Sequence, residues 1–281
     1  MKLNLTGLTV TGYHGVLAFE RENGQPFTVD IELSQPVPEG DQLGQTTDYG
    51  ALADQVAAII AGPPVNLIET LATRIAKDCL KDWPLVDAIT VSVHKPNAPI
   101  AHQFNDVCAT VHAARFTASL GANLGDTMAT LKGAIDMLAA TPEVAVEAIS
   151  DVYATPAIIE QPRVEPAQPN YHNLVVVGST TLEPAQLLAR TAAIELAFGR
   201  RRPYPKAPRT LDIDLVTVGD ASLATPTLTL PHPRAAQRGF VLVPWAQISP
   251  LARLPEGPIG QLIDLVDCTG IERLGPLPQT N

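Results

Sequence analysis

Four stretches of alternating apolar and polar residues in the first 113 positions predict four β-strands. They cover residues 3–12, 26–35, 88–94 and 106–113. Between the second and third stretches, apolar residues recur every three or four positions. This spacing predicts one helix around 52–60 and another from Asn66, a favoured N-cap residue, to Trp83. The order strand, strand, helix, helix, strand, strand favours an antiparallel sheet with both helices on one face. Another subunit commonly covers the open edges of such a sheet, so we expect a homo-oligomer that forms through residues 1–113.

The second half of the chain mixes helical and strand patterns, which predicts a second α+β domain. In order, the predicted elements are a helix from Met128 to Leu138, a strand at 144–153, a proline-rich loop at 155–170, a strand at 172–178 and a helix at 184–198. The length of the loop suggests a lid or a disordered excursion. Because no long linker separates the halves, we place the domains at 1–113 and 114–281, with a turn near residue 114.

Two aspartates lie two positions apart in a strand-like segment of the second domain. Apolar and polar residues alternate over 211–216, so Asp212 and Asp214 are expected on the same face of a strand. Adjacent carboxylates repel each other unless a cation lies between them, and Mg²⁺ typically binds carboxylates together with substrate phosphates. Alone, such a pair is more often a solvated strand face. The neighbouring run 199–206 holds four cations and no acid, which favours a phosphoryl-type transfer site.

Composition and charge narrow the class of protein. The 281 residues carry a formal net charge of −10, and residues 1–113 hold 6 basic against 13 acidic residues, which argues against nucleic-acid binding. We find no membrane-spanning apolar run and no signal-peptide pattern, so we expect a cytoplasmic protein without membrane contacts. Cys79, Cys108 and Cys268 are widely spaced, which is typical of reduced, buried thiols rather than of a disulfide framework or a zinc site.

Four residues with chemically useful side chains lie at the ends of predicted elements in the first domain, namely Glu20, Tyr49, Glu69 and Lys95. Each also has an ordinary explanation. Glu69 could complement the dipole at the start of a helix, and Lys95 could be a solvated charge at a sheet edge. The residues alone leave both interpretations open and favour the ordinary one, since surface charge needs no special explanation.

Four segments of the first domain occur in a specific order and spacing. They are Tyr13-His14-Gly15-Val16-Leu17-Ala18-Phe19-Glu20, Thr47-Asp48-Tyr49-Gly50, Asn66-Leu67-Ile68-Glu69-Thr70-Leu71-Ala72 and Lys95-Pro96-Asn97-Ala98-Pro99-Ile100. In this combination residues 1–113 resemble the dihydroneopterin aldolase family. The resemblance implies the tunnelling fold and ring-like homo-oligomers with active sites at subunit interfaces. It also implies retro-aldol cleavage of dihydroneopterin to 6-hydroxymethyl-dihydropterin and glycolaldehyde, with neither a metal nor another cofactor.

The same resemblance implies roles for individual residues of the first domain. Lys95 would be the general acid and base. Tyr49 would help to relay protons to the enol-like intermediate, and Glu20 would orient a water or the substrate side chain. Glu69, with Ile68 beside it, would bind the pterin, because its carboxylate matches the paired N–H donors of the guanidine-like edge.

A second set of segments characterises the other half of the chain. It consists of Gly121-Ala122-Asn123-Leu124-Gly125, Tyr153-Ala154-Thr155-Pro156, Asn170-Tyr171-His172-Asn173, Gly199-Arg200, Pro208-Arg209-Thr210-Leu211-Asp212-Ile213-Asp214, Pro231-His232-Pro233 and Arg238-Gly239-Phe240. With these, residues 114–281 resemble the 6-hydroxymethyl-7,8-dihydropterin pyrophosphokinase family. The resemblance implies a ferredoxin-like core and transfer of pyrophosphate from ATP to the pterin hydroxymethyl group, which releases AMP.

This second resemblance implies a site for metal and phosphate. Asp212 and Asp214 would bind two Mg²⁺ ions that bridge the ATP phosphates. A set of basic residues would hold the phosphate oxygens, and Arg200 and Arg209 among them would take part in catalysis. The whole ATP-binding set is Arg200, Arg202, Arg209, His232 and Arg238.

The resemblance also implies a pterin site. Tyr171 and Phe240 would enclose the pterin ring from its two faces, and Asn173 would hydrogen-bond to its edge. Three further substrate-binding residues would be Asn123, Thr155 and Pro156.

Since the product of the first implied reaction is the substrate of the second, we interpret the chain as a bifunctional folate-pathway enzyme that acts on pterins and ATP. One alternative keeps only the pyrophosphokinase and makes residues 1–113 an oligomerisation module. Another is an epimerase acting on dihydroneopterin or its triphosphate, which the unusual segment Ala101-His102-Gln103-Phe104 leaves open. A third is an RNA-binding module, which would need surface aromatic residues on a basic sheet.

Overall fold

The computed structural model describes residues 1–156, 169–200 and 209–278. Within them the chain divides into two units, Met1–Arg115 and Phe116–Asn281, and each unit is described by itself.

The first unit contains four strands and three helices. They are β1 (Lys2–Gly12), α1 (Ala18–Asn23), β2 (Gln25–Ser34), α2 (Tyr49–Ala61), α3 (Ile68–Asp82), β3 (Ala88–His94) and the start of β4 (Cys108–Ala122), with a short 3-10 turn at Leu43–Gln45. The strands pair antiparallel in the order β1-β2-β3-β4. This arrangement confirms the predicted antiparallel sheet with two main helices, as expected of the tunnelling fold.

One face of this sheet forms the hydrophobic core of the unit. Alternate residues of β2 and β3, such as Val29, Ile31 and Val91, are fully or almost fully buried against the inner faces of α2 and α3. On the opposite face, polar residues pair across the strands. Thus Ser92 of β3 hydrogen-bonds to Thr110 of β4 with 2.8 Å between the hydroxyl oxygens.

Three local expectations for the first unit are wrong. The segment between the first two predicted strands, for which the sequence pattern indicates no element, forms the short helix α1 around Glu20. The N-cap of α3 is Leu67, and the Asn66 side chain instead accepts a hydrogen bond from Arg21. No turn breaks the chain near residue 114, because residues Cys108–Ala122 form the single strand β4, which pairs with β3 over residues 108–114.

The second unit is built on a strand-helix-strand-strand-helix-strand pattern. Its elements are the end of β4, α4 (Thr127–Ala139), β5 (Val144–Ile149), β6 (Val152–Thr155), β7 (Tyr171–Thr180), α5 (Pro184–Ala197), β8 (Asp212–Val218), β9 (Leu223–Ala224), β10 (Thr229–Leu230), α6 (Gly239–Ile248), β11 (Arg253–Leu254), β12 (Gly257–Pro258), α7 (Ile259–Ile263) and β13 (Glu272–Gly275). A 3-10 turn at Ala235–Gln237 precedes α6. The strands lie in the order β8-β4-β7 with β5 and β6 both on β7, which is the ferredoxin-like order and confirms the predicted class.

Helices complete the second unit. The helices α4 and α5 contact each other, α4 also contacts β5, and α5 contacts β8. The helices α6 and α7 supply a separate apolar cluster in which Leu242, Trp245 and Ile259 pack against Val175 and Val177 of β7.

Two sequence expectations concern the whole chain. Over the residues that the structure describes, every helix is too short or too polar to cross a bilayer. All three cysteines are free, as predicted, but only Cys79 is buried, while Cys108 is exposed and Cys268 is half-buried.

Candidate active sites

A buried ion pair marks the first candidate site. Glu20 lies in α1 and is 2% exposed, and Lys95, which follows β3, is 8% exposed. Lys95 Nζ donates to Glu20 Oε1 at 2.5 Å and lies 5.8 Å from the centre of the Phe27 ring. Neither residue is therefore the solvated surface charge of the ordinary explanation. An ammonium held in this way can exchange a proton with a bound substrate.

The backbone around residue 15 makes room for the Glu20 carboxylate. A Cβ at Gly15 would lie 2.6 Å from Glu20 Oε1, and the φ of +148° also favours glycine there. Leu17 N–H donates to Oε2 at 3.0 Å, and Gln25 Nε2 donates to Oε1 at 3.3 Å. Burial raises the pKa of Glu20, but hydrogen bonds from Lys95 and Leu17 outweigh it and hold this pKa below its usual value. The carboxylate is therefore ionised.

A neutral histidine supports the same corner of the unit. Val65 N–H donates to His14 Nδ1 at 3.1 Å, so the proton lies on Nε2, which donates to Ile60 O at 2.8 Å. Burial lowers the pKa of His14, and the positive charge of Lys95 acts in the same direction, against the hydrogen bond to Ile60. The ring also packs edge-on against Phe27, with 5.3 Å between centroids. His14 thus links the loop before α1 to the connection between α2 and α3.

Three other residues predicted for this site stand at helix starts. Tyr49 is the first residue of α2, directly after the N-cap Asp48, and is 65% exposed. Ile68 and Glu69 begin α3, where Ile68 is half-buried and Glu69 is exposed. The structure therefore joins Glu20 directly to Lys95 and places Tyr49 and Glu69 at the surface of the unit, outside that ion pair.

The second candidate site is organised by the start of β8. Asp212 and Asp214 lie on one face of the strand, with the buried Ile213 between them. They pair across to Gly121 and Ser119 of β4. Their side chains are 14% and 32% exposed, so both carboxylates are partly open to solvent.

Arginines converge on the Asp212 carboxylate. Arg200 donates to Asp212 Oδ1, and Arg209 Nη1 lies 2.7 Å from Oδ2. Arg200 also forms an ion pair with Glu195, whose Oε1 accepts from Ile213 N–H at 2.7 Å. Glu195 therefore ties Arg200 to the strand that carries the aspartates.

The same two arginines have unused hydrogen-bonding capacity. Within the part of the chain that the structure describes, Arg200 Nε and Arg209 Nε are buried without a partner, as is Thr210 Oγ1. An unsatisfied buried donor costs about 1–3 kcal/mol, so an oxygen-rich anion that accepted from these groups would recover that energy.

The other aspartate has a separate set of cations. Arg238 Nη1 donates to Asp214 Oδ2 at 3.0 Å, and His232 Nε2 lies 3.8 Å from the same oxygen. Burial lowers the pKa of His232, and the charge of Arg238 lowers it further, although Asp214 opposes them. Cationic groups and an acid pair therefore meet at one end of β8.

Three polar residues predicted to bind the pterin, Asn173, Thr155 and Asn123, are buried. Asn173 Nδ2 donates to Thr155 Oγ1 at 2.6 Å, and both residues are 5% exposed. A Cβ on Gly121 would lie 2.6 Å from Asn173 Oδ1, so glycine makes room for this amide. Asn123 is 3% exposed, and its Oδ1 accepts from Arg209 N–H at 2.9 Å.

Each aromatic ring predicted to enclose the pterin lies beneath an arginine. The Arg209 guanidinium carbon is 5.8 Å from the Tyr171 ring centre, and that of Arg238 is 5.4 Å from Phe240. Pro156, also predicted here, is exposed. The rings and the phosphate-binding candidates are therefore neighbours.

The donor set at the start of β8 fits Mg²⁺. Asp212 and Asp214 offer hard carboxylate oxygens on one strand face, and this ion usually takes one or two carboxylates with substrate phosphates and water. The arginines that now pair with these carboxylates also suit phosphate oxygens, and the buried Nε atoms of Arg200 and Arg209 lack acceptors.

Some predicted site residues fall outside the described residues, and some residues that contact Glu20 or shape its surroundings were not predicted from the sequence. Arg202 and most of the loop at 155–170 lie outside them. Gln25 was not predicted, since nothing in the local sequence marks it. His14 and Gly15 were quoted only as parts of a motif, although both shape the surroundings of Glu20.

Comparisons with known proteins assign the two halves of the chain to two different families. The family model of dihydroneopterin aldolase matches residues 3–112, and that of 7,8-dihydro-6-hydroxymethylpterin-pyrophosphokinase matches residues 117–250. A dihydroneopterin aldolase of Streptomyces coelicolor is 47% identical over 117 residues, which are 41% of this chain and 98% of that protein.

The second half is similar to two 2-amino-4-hydroxy-6-hydroxymethyldihydropteridine pyrophosphokinases. The protein of a Synechocystis species is 42% identical over 159 residues, which are 56% of this chain and 78% of that protein. The protein of Pseudomonas aeruginosa is 37% identical over 161 residues, which are 57% of this chain and 96% of that protein.

Proposed function

The chain belongs to the dihydroneopterin aldolase family over residues 3–112 and to the 7,8-dihydro-6-hydroxymethylpterin-pyrophosphokinase family over residues 117–250. From this we propose which of its side chains take part in each of two consecutive reactions. The chain is a bifunctional enzyme of folate biosynthesis. It cleaves dihydroneopterin to 6-hydroxymethyl-dihydropterin and glycolaldehyde, and it transfers pyrophosphate from ATP to that pterin, releasing AMP. One observation supports the assignment of one reaction to each unit: the first unit holds a buried lysine–carboxylate pair, and the second holds an acid pair surrounded by arginines.

In the aldolase site, Lys95 exchanges protons with the substrate as the carbon–carbon bond breaks. Its ammonium is buried and fixed by Glu20 at 2.5 Å, so it needs little reorganisation when a substrate hydroxyl arrives. Glu20, itself ionised, holds the lysine and orients a water or the substrate side chain. No metal or other cofactor takes part in this proposal.

Groups at two helix starts complete the aldolase site. The exposed Glu69 carboxylate accepts the paired N–H donors of the pterin, and Ile68 contacts the ring beside it. Tyr49 relays a proton to the enol-like intermediate. Because Tyr49 is 65% exposed while Lys95 is 8% exposed, we assign Tyr49 to the site of a neighbouring subunit.

A homo-oligomer formed through the first unit accounts for the surface around this site. Large apolar side chains next to the catalytic segments are exposed, including Val16 (66%), Phe19 (51%) and Leu67 (53%). The strand β1 is also the last in its sheet order, a position that another subunit commonly covers. Sedimentation equilibrium should give a mass that is a multiple of 29.8 kDa, whereas a single-chain mass at micromolar concentration contradicts this proposal.

In the pyrophosphokinase site, Asp212 and Asp214 would hold the magnesium and the basic groups would hold ATP. When bound, two Mg²⁺ ions would neutralise charge on the ATP phosphates and align them with the pterin hydroxyl. The arginines that now bond to the aspartates turn to phosphate oxygens, and the buried Nε atoms of Arg200 and Arg209 gain acceptors. The proposed ATP set is Arg200, Arg202, Arg209, His232 and Arg238.

The pterin lies between Tyr171 and Phe240 in this proposal. Their rings are already close to Arg209 and Arg238, which brings the hydroxymethyl group near the phosphates. Asn173 reads the pterin edge. Three neighbours complete the pocket: Asn123, Thr155 and Pro156.

A single reaction mixture tests both assignments. Purified protein receives dihydroneopterin, ATP and Mg²⁺, and glycolaldehyde, the pterin pyrophosphate and AMP are followed together. Asp212→Ala should abolish AMP and the pyrophosphate and leave glycolaldehyde, whereas the exposed control Asp264→Ala should change neither. AMP formation at the wild-type rate in Asp212→Ala would overturn the metal assignment.

Lys95→Met tests the other half of the mixture. The variant should lose glycolaldehyde by at least about 100-fold, the scale of a lost general acid–base group, and should still form AMP when 6-hydroxymethyl-dihydropterin is supplied. The exposed Lys81→Met is its matched control. If wild-type protein releases AMP only with that supplied pterin, the first unit is an oligomerisation module or an epimerase.

The proposed partners are the pterin substrates, ATP and further copies of the chain, and the net charge of −10 gives no support to nucleic-acid binding. Because ATP is a co-substrate, we also propose a cytoplasmic location. Cell fractionation should recover the pyrophosphokinase activity in the cytosol, and activity in another fraction would contradict this location.

A further inference from the structure

A mixed cluster of metal-binding side chains lies on the polar face of the first unit's sheet. His94 at the end of β3 pairs across to Cys108 at the start of β4, so both side chains point to this face. Asp106 stands two residues before Cys108 and reaches the same face, where its Oδ2 is 2.6 Å from His94 Nδ1. Cys108 Sγ is 3.8 Å from His94 Nε2, and Asp30 Oδ2 is 3.4 Å from that nitrogen.

The composition of this cluster suits a borderline-soft divalent cation. An imidazole nitrogen, a thiolate sulfur and a carboxylate oxygen are the three ligand types that Zn²⁺ accepts in proteins. One ligand atom from each of His94, Asp106 and Cys108 can be chosen so that all three lie within 4.8 Å of one another. Ligand atoms around a tetrahedral zinc lie roughly 3.3–3.8 Å apart, given bond lengths of 2.0–2.3 Å. His94 Nε2 and Cys108 Sγ are already at such a distance, 3.8 Å. The exposed Asp106 carboxylate would leave its hydrogen bond to His94 Nδ1 to join them.

We propose that His94, Asp106 and Cys108 bind one Zn²⁺ ion, with solvent in the remaining position. Cys108 binds as the thiolate, and its proton passes to the solvent. Asp30 adds a second carboxylate beside the imidazole, and Gly7 N–H fixes its other oxygen at 2.7 Å. The site uses none of the residues assigned to either reaction, and its sulfur ligand distinguishes it from the oxygen ligands proposed for magnesium.

Because the cluster lies beside the loop 95–107, an ion bound there should stabilise that loop. His94 directly precedes Lys95, and Asp106 and Cys108 flank Val107, whose carbonyl accepts from Lys95 N–H at 2.8 Å. A metal bound to both strands would close the base of the loop 95–107, which begins with Lys95. Binding should therefore raise the melting temperature of the first unit.

Cobalt provides a spectroscopic test on the full chain. Metal-free protein in a non-thiol reductant, with excess Mg²⁺ to occupy carboxylate sites, is titrated with Co²⁺. We expect a thiolate-to-cobalt charge-transfer band that saturates at one ion per chain. Cys108→Ser should lose the band, and Cys268→Ser, which removes the other solvent-accessible thiol, should keep it. Absence of the band in wild-type protein, or its persistence in Cys108→Ser, overturns the proposal.

Zinc affinity then tests the remaining ligands. Competition with a chromophoric chelator should show Zn²⁺ binding weakened at least about tenfold in His94→Ala and in Asp106→Asn. His112→Ala, an exposed histidine on the same sheet face, is the matched control and should bind as wild type does. An unchanged dissociation constant in either His94→Ala or Asp106→Asn contradicts the assigned ligand set. Glycolaldehyde release by each variant reports that the first unit is folded.

Discussion

At the scale of single residues, we expect the ion pair of Glu20 and Lys95 to matter both for the proposed aldolase reaction and for the stability of the first unit. Their side chains are 1% and 11% exposed, so removing either partner leaves a buried charge without compensation. We expect Glu20→Gln and Lys95→Met each to lower the free energy of unfolding of the first unit by about 3–5 kcal/mol. Urea unfolding followed by Trp83 fluorescence in a Trp245→Phe background measures this change.

The double variant Glu20→Gln/Lys95→Met tests the origin of that loss. Because it buries no unpaired charge, it should be more stable than the sum of the two single changes predicts. Strict additivity would show that the two groups do not interact energetically, in conflict with their 2.5 Å contact.

Gly15 is a second residue at which a substitution should disturb the proposed aldolase site, because a Cβ there has no space. In Gly15→Ala the new methyl group would collide with the Glu20 carboxylate, at 2.6 Å from Oε1, and φ at +148° adds strain. Aldolase kcat/KM should fall at least about tenfold, as expected when a catalytic group is displaced by around 1 Å, while pyrophosphokinase activity stays constant. Gly7→Ala is the control, because Gly7 also has a positive φ but no atom within 4 Å of its Cβ position. Equal aldolase losses in both variants would assign the effect to backbone strain alone.

His14 and Glu20 determine how the first unit responds to acid. The pKa of His14 in the folded chain is lowered from 6.5. As the pH falls below 6.5, His14 therefore binds a proton in the unfolded chain before it does so in the folded chain, which favours unfolding. The pKa of Glu20 is lowered from 4.5, which adds the same effect at lower pH. Stability of the first unit should therefore fall continuously as pH drops below 6.5. Urea titrations between pH 8 and pH 4 measure the slope. His112→Ala should retain the slope near pH 6, and a flat profile in the wild-type protein would exclude a neutral buried His14.

At the scale of elements, the sequence predicts those strands and helices in which apolar residues recur with a regular period. In β2 and β3, strict alternation predicted both the strands and the face that packs on the helices. The helix α1 has six residues, which is too short for a helical period to be recognised. The turn expected near residue 114 followed from placing a domain boundary there and not from any residue that breaks strands, and β4 in fact continues from Cys108 to Ala122.

The candidate site residues also differ in how far local sequence patterns predict them. Asp212 and Asp214 are neighbours along one strand, so their common face follows from the sequence. Glu20 and Lys95 are 75 positions apart, and only the folded sheet brings them into contact. Their candidacy in the sequence therefore rested on family resemblance, while the hydrogen bond from Gln25 had no sequence signal.

The pairing of β5 with β7 depends on a glycine in β7. A Cβ at Gly178 would collide with the Ala145 carbonyl and lie 2.8 Å from the Phe116 ring, both of which belong to packed strands. Gly178→Ala should therefore destabilise the second unit by about 1–3 kcal/mol or more, as overpacking does, and lower its melting temperature. Gly260→Ala, in α7 with open space around the new methyl, should be neutral or slightly stabilising. Differential scanning calorimetry compares the two, and equal melting temperatures would contradict the steric argument.

At the scale of the whole molecule, each unit carries its own apolar cluster and its own candidate site. One chain therefore supplies the enzyme that makes 6-hydroxymethyl-dihydropterin and the enzyme that consumes it. In the second candidate site, Asp212 pairs with Arg209 and Asp214 with Arg238 of the same chain. For the first site, we have proposed that Tyr49 comes from another copy.

Mixed oligomers test this assignment of Tyr49. Lys95→Met and Tyr49→Phe proteins, each deficient in aldolase activity, are unfolded together in equal amounts and refolded. If a site takes Lys95 from one subunit and Tyr49 from its neighbour, random mixing restores both groups in about a quarter of the sites. Glycolaldehyde release should then recover to about a quarter of the wild-type rate. The matched control mixes Lys95→Met with Glu20→Gln, whose side chains pair within one chain, so no site regains both groups. Recovery in the control as well, or none with Tyr49→Phe, would contradict a tyrosine shared between subunits.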